Sequence, residues 1–131
     1  MSELWLVLDK NDVPFDDYLD MRCCMTAENI LNDLAIELSL PPFSNFVGMS
    51  KADWEDAGIP GSWTPAERPW SSAESGRAWC DKLLTYLELI EDPFPPDWDC
   101  RGGVIEELET LRLILHKVEA IGARWGLMYG S

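Results

Sequence analysis

The chain has 131 residues, of which 47% are hydrophobic, and seven of its aromatic residues are tryptophan. That length and composition fit one folded domain, residues 1–131, and exclude a disordered chain. The net charge of −14, from 24 acidic and 10 basic side chains, repels phosphate backbones and anionic lipid, so nucleic-acid and membrane partners are not expected.

The cysteines and the N-terminus indicate a reducing compartment. Cys23, Cys24, Cys80 and Cys100 form neither a zinc-binding nor a CxxC spacing, and free cysteines of this kind mostly act as small core residues. No apolar run approaches the roughly 20 residues that span a bilayer, and the acidic N-terminus does not resemble a secretory signal. We therefore expect a soluble, cytoplasmic protein.

The N-terminal third predicts a strand, a loop and a helix. The unbroken apolar run Leu4–Leu8 is typical of a strand buried on both faces. The acid-rich stretch Asp9–Asp20 should be a loop. Thr26 is the expected N-cap of a helix over about residues 27–39, which Pro41-Pro42 ends because proline cannot continue helical hydrogen bonding.

Residues 41–70 predict a long, irregular, aromatic-rich connection, in which Phe43–Met49 is a possible third strand. Connections of this length inside a compact domain are usually functional. Ser71 and Glu74 match a capping box. The helix that this box opens places a stripe of large apolar side chains on one face: Trp79, Leu83, Leu87 and Ile90.

The C-terminal third carries the clearest helical pattern in the chain. Steps of four and three residues join Val104, Leu108, Leu111, Leu115 and Val118. Gly122 stands where a left-handed residue ends a helix, and Arg124–Tyr129 follows as a strand. The prediction is an α+β fold in which about three helices pack on a small sheet of the N- and C-terminal strands.

No catalytic signature is visible. A Cys100–His116 dyad would need the third helix to break, because a rise of about 1.5 Å per residue from residue 104 separates the pair by roughly 18 Å. Gly102-Gly103 lacks the lysine and hydroxyl residue of a phosphate-binding loop. We therefore expect no catalytic residue and no cofactor, and a protein that is not an enzyme.

The acidic stretch Asp9–Asp20 leaves one enzymatic alternative open. Asp9 and Asn11 match the first ligand positions of an EF-hand loop, but Val13 and Pro14 break that motif. An irregular carboxylate site for a divalent ion would instead support a carboxylate-metal-dependent hydrolase. Titration calorimetry with Mg²⁺, Mn²⁺ and Ca²⁺ separates this alternative from a binding module.

Aromatic residues recur among acidic ones in three segments: Asp16–Tyr18, Asp53–Asp56 and Asp97–Asp99. Large rings and carboxylates together form strong contacts with basic partners, although each tryptophan would equally serve as an anchor of its loop to the core. The candidate partner-binding residues are Asp53, Trp54, Glu55, Asp56, Asp97, Trp98 and Asp99.

The segments Val104–Glu109 and Gly122–Leu127 together resemble the helix-turn-strand end of small acidic bacterial proteins, some of them similar to immunity proteins of toxin systems. The resemblance implies an inhibitory binding role and carries over no functional residue. The leading hypothesis is a non-enzymatic immunity or inhibitor protein that masks a basic protein partner. A structural homo-oligomer that buries Leu113 remains a further alternative.

Overall fold

The computed structural model describes residues 3–10, 12–48, 70–89 and 101–130, and these form an α+β domain, as the sequence predicts. Nine elements follow one another: β1 (Glu3–Leu8), α1 (Arg22–Thr26), α2 (Glu28–Glu37), a 3-10 helix (Phe43–Phe46), β2 (Val47–Gly48), β3 (Ser71–Ser72), α3 (Ala73–Leu89), α4 (Arg101–Ala120) and β4 (Arg124–Gly130), all within the described ranges.

The last strand is the centre of the sheet. β4 lies between β1 and β2, antiparallel to β1 and parallel to β2, and β3 adds a short antiparallel pairing. The predicted pairing of the terminal strands is therefore confirmed. Of the proposed third strand, Phe43–Met49, only Val47–Gly48 pairs with β4.

The 3-10 helix in place of the first half of that strand has a packing reason. Phe43 and Phe46 are both buried, and a spacing of three residues puts both on one side of a 3-10 helix. The ring of Phe46 stacks on Trp125 at 4.9 Å and meets Trp79 edge-on at 5.2 Å. An extended strand would instead have directed successive side chains to opposite faces.

Strand β1 is only partly as predicted. Leu4 and Leu6 are buried, whereas Trp5, Val7 and Leu8 are half-buried, so one face of the strand is more open than a fully apolar run indicates. The outer edge of β1 is covered by the segment 19–21. The Leu6 N–H donates to the carbonyl of residue 19, and the N–H of residue 21 donates to the carbonyl of Leu4. These bonds occupy backbone groups that an exposed strand edge would offer to another chain.

The predicted N-cap at Thr26 is wrong. The predicted helix over about residues 27–39 is present as α2, but a further helix, α1, precedes it and Thr26 is the last residue of α1. The Thr26 hydroxyl donates to the carbonyl of Arg22 at 3.1 Å, the bond that a threonine inside a helix makes four residues back. Ala27 caps α2 without any side-chain hydrogen bond.

Helix α3 begins one residue later than the capping box predicts. Ser71 lies in β3, and the Ser72 hydroxyl accepts the N–H of Ser75 at 3.1 Å, so Ser72 is the residue that caps the helix. The predicted apolar stripe is confirmed at Trp79, Leu83 and Leu87, all buried, and Ile90 lies outside the described residues.

Helix α4 packs against α3 and the sheet through its predicted stripe. Val104, Leu108, Leu111, Leu115 and Val118 are all fully buried. Gly122 has φ +67°, the left-handed conformation that the sequence predicts for the end of this helix. No helix in the described part of the chain is long and apolar enough to cross a membrane.

Candidate partner-binding surface

The seven residues that the sequence singles out for partner binding (Asp53, Trp54, Glu55, Asp56, Asp97, Trp98 and Asp99) all lie outside the described residues. Most of the connection 41–70 lies outside them as well. The third segment of the same kind, Asp16–Tyr18, is described. It therefore shows how the molecule displays one of these aromatic and acidic segments.

Tyr18 is displayed at the surface. Its relative exposure is 66%, and its ring meets the half-buried ring of Trp5 edge-on, with centroids 5.2 Å apart. The Asp16 carboxylate accepts the N–H of Tyr18 at 3.0 Å, which fixes the turn that presents the ring. The ring is held by its contact with Trp5 and by the turn of its own backbone, and most of its surface faces solvent.

A groove of about 370 Å³ runs between this segment and α4. One wall comes from the chain around α1 and the other from the first half of α4: Tyr18, Leu19, Asp20 and Cys23 face Gly103, Glu106, Glu107 and Thr110. We call it the Tyr18 groove. Its charged lining residues are all acidic.

Of the three carboxylates that line the groove, that of Glu107 accepts hydrogen bonds from the protein's own backbone. Its Oε2 accepts the N–H of Cys23 at 3.0 Å and its Oε1 accepts the N–H of Cys24 at 2.9 Å. These are donors that the first turn of α1 cannot satisfy within the helix. Glu107 thereby joins α4 to α1 and forms the floor of the groove.

The other two carboxylates have unused acceptor capacity. Asp20 bonds Arg22 through Oδ2 at 2.9 Å, and its buried Oδ1 has no hydrogen-bond partner in the structure as described. Glu106 is exposed and takes part in no ion pair within the described ranges. The free negative charge of the groove therefore sits on Glu106, while Asp20 is paired with Arg22 and keeps one oxygen as a free acceptor.

Basic side chains in the described ranges are mostly engaged inside the molecule. Four arginines form ion pairs: Arg22 with Asp20, Arg77 with Glu119, Arg112 with Asp81 and Arg124 with Asp9. The Lys10 ammonium donates to the carbonyl of Ile121 at 2.7 Å, and Arg101 donates to the carbonyl of Leu87 at 2.9 Å. Little positive charge is left to compensate the acidic surface.

Many acidic side chains have no such partner. In the described ranges the exposed carboxylates without an ion pair are Asp12, Asp16, Asp33, Glu37, Glu74, Glu88, Glu106 and Glu109. On α4 three of the four acids, Glu106, Glu107 and Glu109, precede Arg112, and the first two line the Tyr18 groove. The surplus charge is thus displayed to solvent.

The cysteines that the structure describes are free thiols. Cys24 and Cys80 are buried in the core, as a structural role predicts. Burial raises the pKa of Cys24 well above its ordinary value, and Glu107 adds to the effect; burial also raises the pKa of Cys80 to about 12. Both remain protonated at neutral pH and are therefore poor nucleophiles.

His116 lies on an unbroken α4, which runs over Arg101–Ala120. The break that a Cys100–His116 dyad requires is absent from this helix, and Cys100 itself lies outside the described residues. His116 is exposed, and its Nδ1 accepts from the guanidinium of Arg77 at 2.8 Å. This histidine therefore links α4 to α3.

The acids at the two ends of the Asp9–Asp20 stretch bind arginines. Both oxygens of Asp9 accept hydrogen bonds from Arg124, at 2.7 and 3.0 Å, and Asp20 pairs with Arg22. Among the described residues no three potential ligands come together as a metal site. Asn11 lies outside those residues.

Comparison with known proteins finds no matching family model, no similar curated protein and no similar solved structure.

Sequence reasoning missed the α4 half of the groove. The sequence identifies Asp16–Tyr18 as an aromatic and acidic segment, but no pattern in it associates Glu106 or Thr110 with that segment. The available signal was the run of acids that precedes Arg112 in a helix whose other face is apolar. It indicated an acidic helix surface, but not the neighbour against which that surface lies.

Proposed function

We propose that this protein is a non-enzymatic binding protein of immunity or inhibitor type, which masks a basic site on another protein. The observation that carries the proposal is the unequal use of charge. The five described arginines form internal ion pairs or bind a carbonyl, whereas exposed carboxylates on every long helix have no ion pair among the described residues.

Unpaired surface charge of one sign favours association with a surface of the opposite sign. A coherent acidic field raises association rates by about 10–10³ and makes them depend on salt. Large rings then supply the contact area that holds the complex together. Tyr18 is such a ring, and Trp54 and Trp98 are the further candidates from the sequence.

The resemblance of Val104–Glu109 and Gly122–Leu127 to small acidic bacterial proteins supports the same role, because some of those proteins resemble toxin immunity proteins. A partner of that kind would carry a basic active or binding surface. We propose that masking takes place in the cytoplasm, where free thiols such as Cys24 and Cys80 persist.

The test begins with affinity capture from the source cells, followed by reconstitution with the purified partner. Stopped-flow mixing measures the association rate over a range of salt concentrations. We expect a partner with a basic surface, a rate that falls steeply with salt, and inhibition of the partner on binding. Neutralising Asp53, Glu55 and Asp56 should slow association and flatten its salt dependence.

Two results would contradict the proposal. One is a stable complex whose association rate does not change with salt. The other is a partner whose activity is unaffected when it is saturated with this protein. As a control for general charge effects, the variant Asp33→Asn/Glu37→Gln removes two exposed carboxylates from α2 and should slow association less.

A further inference from the structure

We propose that the Tyr18 groove is the docking site for a basic, partly apolar segment of the partner, with an arginine or lysine side chain laid against Tyr18. This inference rests on the proposed function and assigns the binding of the partner to one groove. It joins three properties of one concave surface: an exposed ring, an apolar lining and carboxylate oxygens that are free to accept hydrogen bonds.

The exposed ring gives the groove a contact for a cation. Tyr18 is 66% exposed, and its edge-on contact with Trp5 at 5.2 Å uses one side of the ring system. A guanidinium or ammonium group is attracted to the face of an aromatic ring, by about 0.5–1 kcal/mol at exposed sites. Because the ring is already held in place, little conformational freedom is lost on binding.

The carboxylates lie on both sides of the groove. Asp20 keeps Oδ1 without a hydrogen-bond partner among the described residues, and Glu106 faces solvent from α4. Among the described residues neither Lys nor Arg lines the groove, although Arg22 pairs with the Oδ2 of Asp20. A basic side chain that enters here therefore meets the free Oδ1 of Asp20 on one wall and the exposed carboxylate of Glu106 on the other.

The remaining lining suits an apolar neighbour of that basic side chain. Leu19, Cys23, Gly103 and the methyl-bearing Thr110 present little charge. A partner segment that alternates basic and apolar residues would place its apolar side chains on this lining and its basic side chains beside the carboxylates. A polycation without apolar side chains would contact the carboxylates alone.

The walls of the groove are fixed relative to each other. A Cβ on Gly103 would lie 2.5 Å from the Cys23 Sγ, which means that α1 and α4 approach closely at this point. Glu107 adds two hydrogen bonds between the same elements. A groove formed in advance binds its occupant without ordering loops first.

The experiment uses the full chain and a fluorescein-labelled synthetic peptide of alternating arginine and leucine, followed by fluorescence anisotropy at physiological ionic strength. Tyr18→Ala and Glu106→Gln should each weaken binding by about five- to tenfold, the effect of roughly 1–1.4 kcal/mol. The matched control Asp33→Asn removes one exposed carboxylate on α2 and should change binding by less than about twofold. A peptide with glutamine in place of arginine should not bind.

If Tyr18→Ala perturbs folding, amide NMR spectra of the unmodified protein test the same proposal without a substitution. Adding the peptide to the unmodified protein should shift resonances of residues 18–23 and 103–110 before those of α2. Equal weakening by Glu106→Gln and Asp33→Asn, with shifts spread over the surface, would overturn the groove and leave the proposed function standing. Failure of the native protein to bind either this peptide or any basic partner would overturn both.

Discussion

Asp9 and Arg124 form three hydrogen bonds where the first strand ends and the last strand begins. The Asp9 N–H donates to the Arg124 carbonyl at 3.1 Å. The Arg124 N–H and Nε donate to the Asp9 carboxylate at 2.7 and 3.0 Å. Burial acts to raise the pKa of Asp9, but the bonds and charge of Arg124 outweigh it, so the pKa lies below its ordinary value of 3.8.

The depressed pKa of Asp9 predicts an acid-sensitive contribution to stability. Such a contribution is present above the ordinary carboxyl pKa and is lost as the pH falls through the lower pKa of the folded state. Asp9→Asn should cost about 1 kcal/mol or less at neutral pH, because the pair is partly solvent-exposed. In urea unfolding, the difference from the native protein should shrink below a pH of about 3.8; a difference that is independent of pH would contradict this account.

Gly76 is required by the packing of α3 on Trp125. A Cβ at this position would lie 2.6 Å from the Trp125 ring and 2.7 Å from Leu115. Gly76→Ala should therefore destabilise the protein by about 1–3 kcal/mol, although alanine is the better helix former. Gly102→Ala is the matched control, because no atom of the described residues lies within 4 Å of a Cβ placed there. It should be neutral or stabilising by up to about 1 kcal/mol, and similar effects of the two changes in urea unfolding would contradict the model of close packing.

Leu111 and Leu113 lie on opposite sides of α4. Leu111 is fully buried and Leu113 is 66% exposed. Leu111→Ala should lower the free energy of unfolding by about 2–5 kcal/mol, while Leu113→Ala should change it by less than about 0.5 kcal/mol. Light scattering across a dilution series adds a second readout: a mass that falls on dilution, and only with Leu113 present, would support the homo-oligomer alternative instead.

These leucines also show what a sequence reveals about a fold. The burial of Leu111 follows from helical spacing, and the left-handed Gly122 from its place after the last apolar residue, because both depend on neighbours within a few residues. The stripe of α3 was predictable on the same ground. The long helices and the terminal strands could therefore be predicted from local patterns in the sequence.

Features that depend on distant contacts were not predictable in this way. Thr26 has the right chemistry for an N-cap, but it belongs to α1, whose first turn is bonded to Glu107 more than eighty positions away. The Tyr18 groove has the same origin, because each wall comes from a different end of the chain. Spacing along one segment does not reveal which other segment lies against it.

Cys24 and Cys80 should react only when the protein unfolds. In the variant Cys23→Ala/Cys100→Ala these are the two remaining thiols, and their raised pKa values and burial keep them protonated and out of reach. Ellman's reagent should modify both at the rate of global unfolding. Since a raised pKa favours the neutral thiol, stability should fall as the pH rises from the ordinary value of 9.0 towards about 12. Rapid modification of either thiol in the folded protein would contradict this placement.

Glu107 and Glu106 are adjacent in sequence, but their substitutions should have different effects. Loss of Glu107 should lower stability, whereas loss of Glu106 should weaken binding. Glu107→Ala leaves the N–H groups of Cys23 and Cys24 without their acceptor, which should cost about 1–3 kcal/mol in urea unfolding. Glu106→Gln changes an exposed side chain and should leave stability within about 0.5 kcal/mol while weakening the basic peptide. If Glu106→Gln unfolded the protein as readily as Glu107→Ala, Glu106 would be part of the α1–α4 joint, and its loss of binding would no longer locate the partner in the groove.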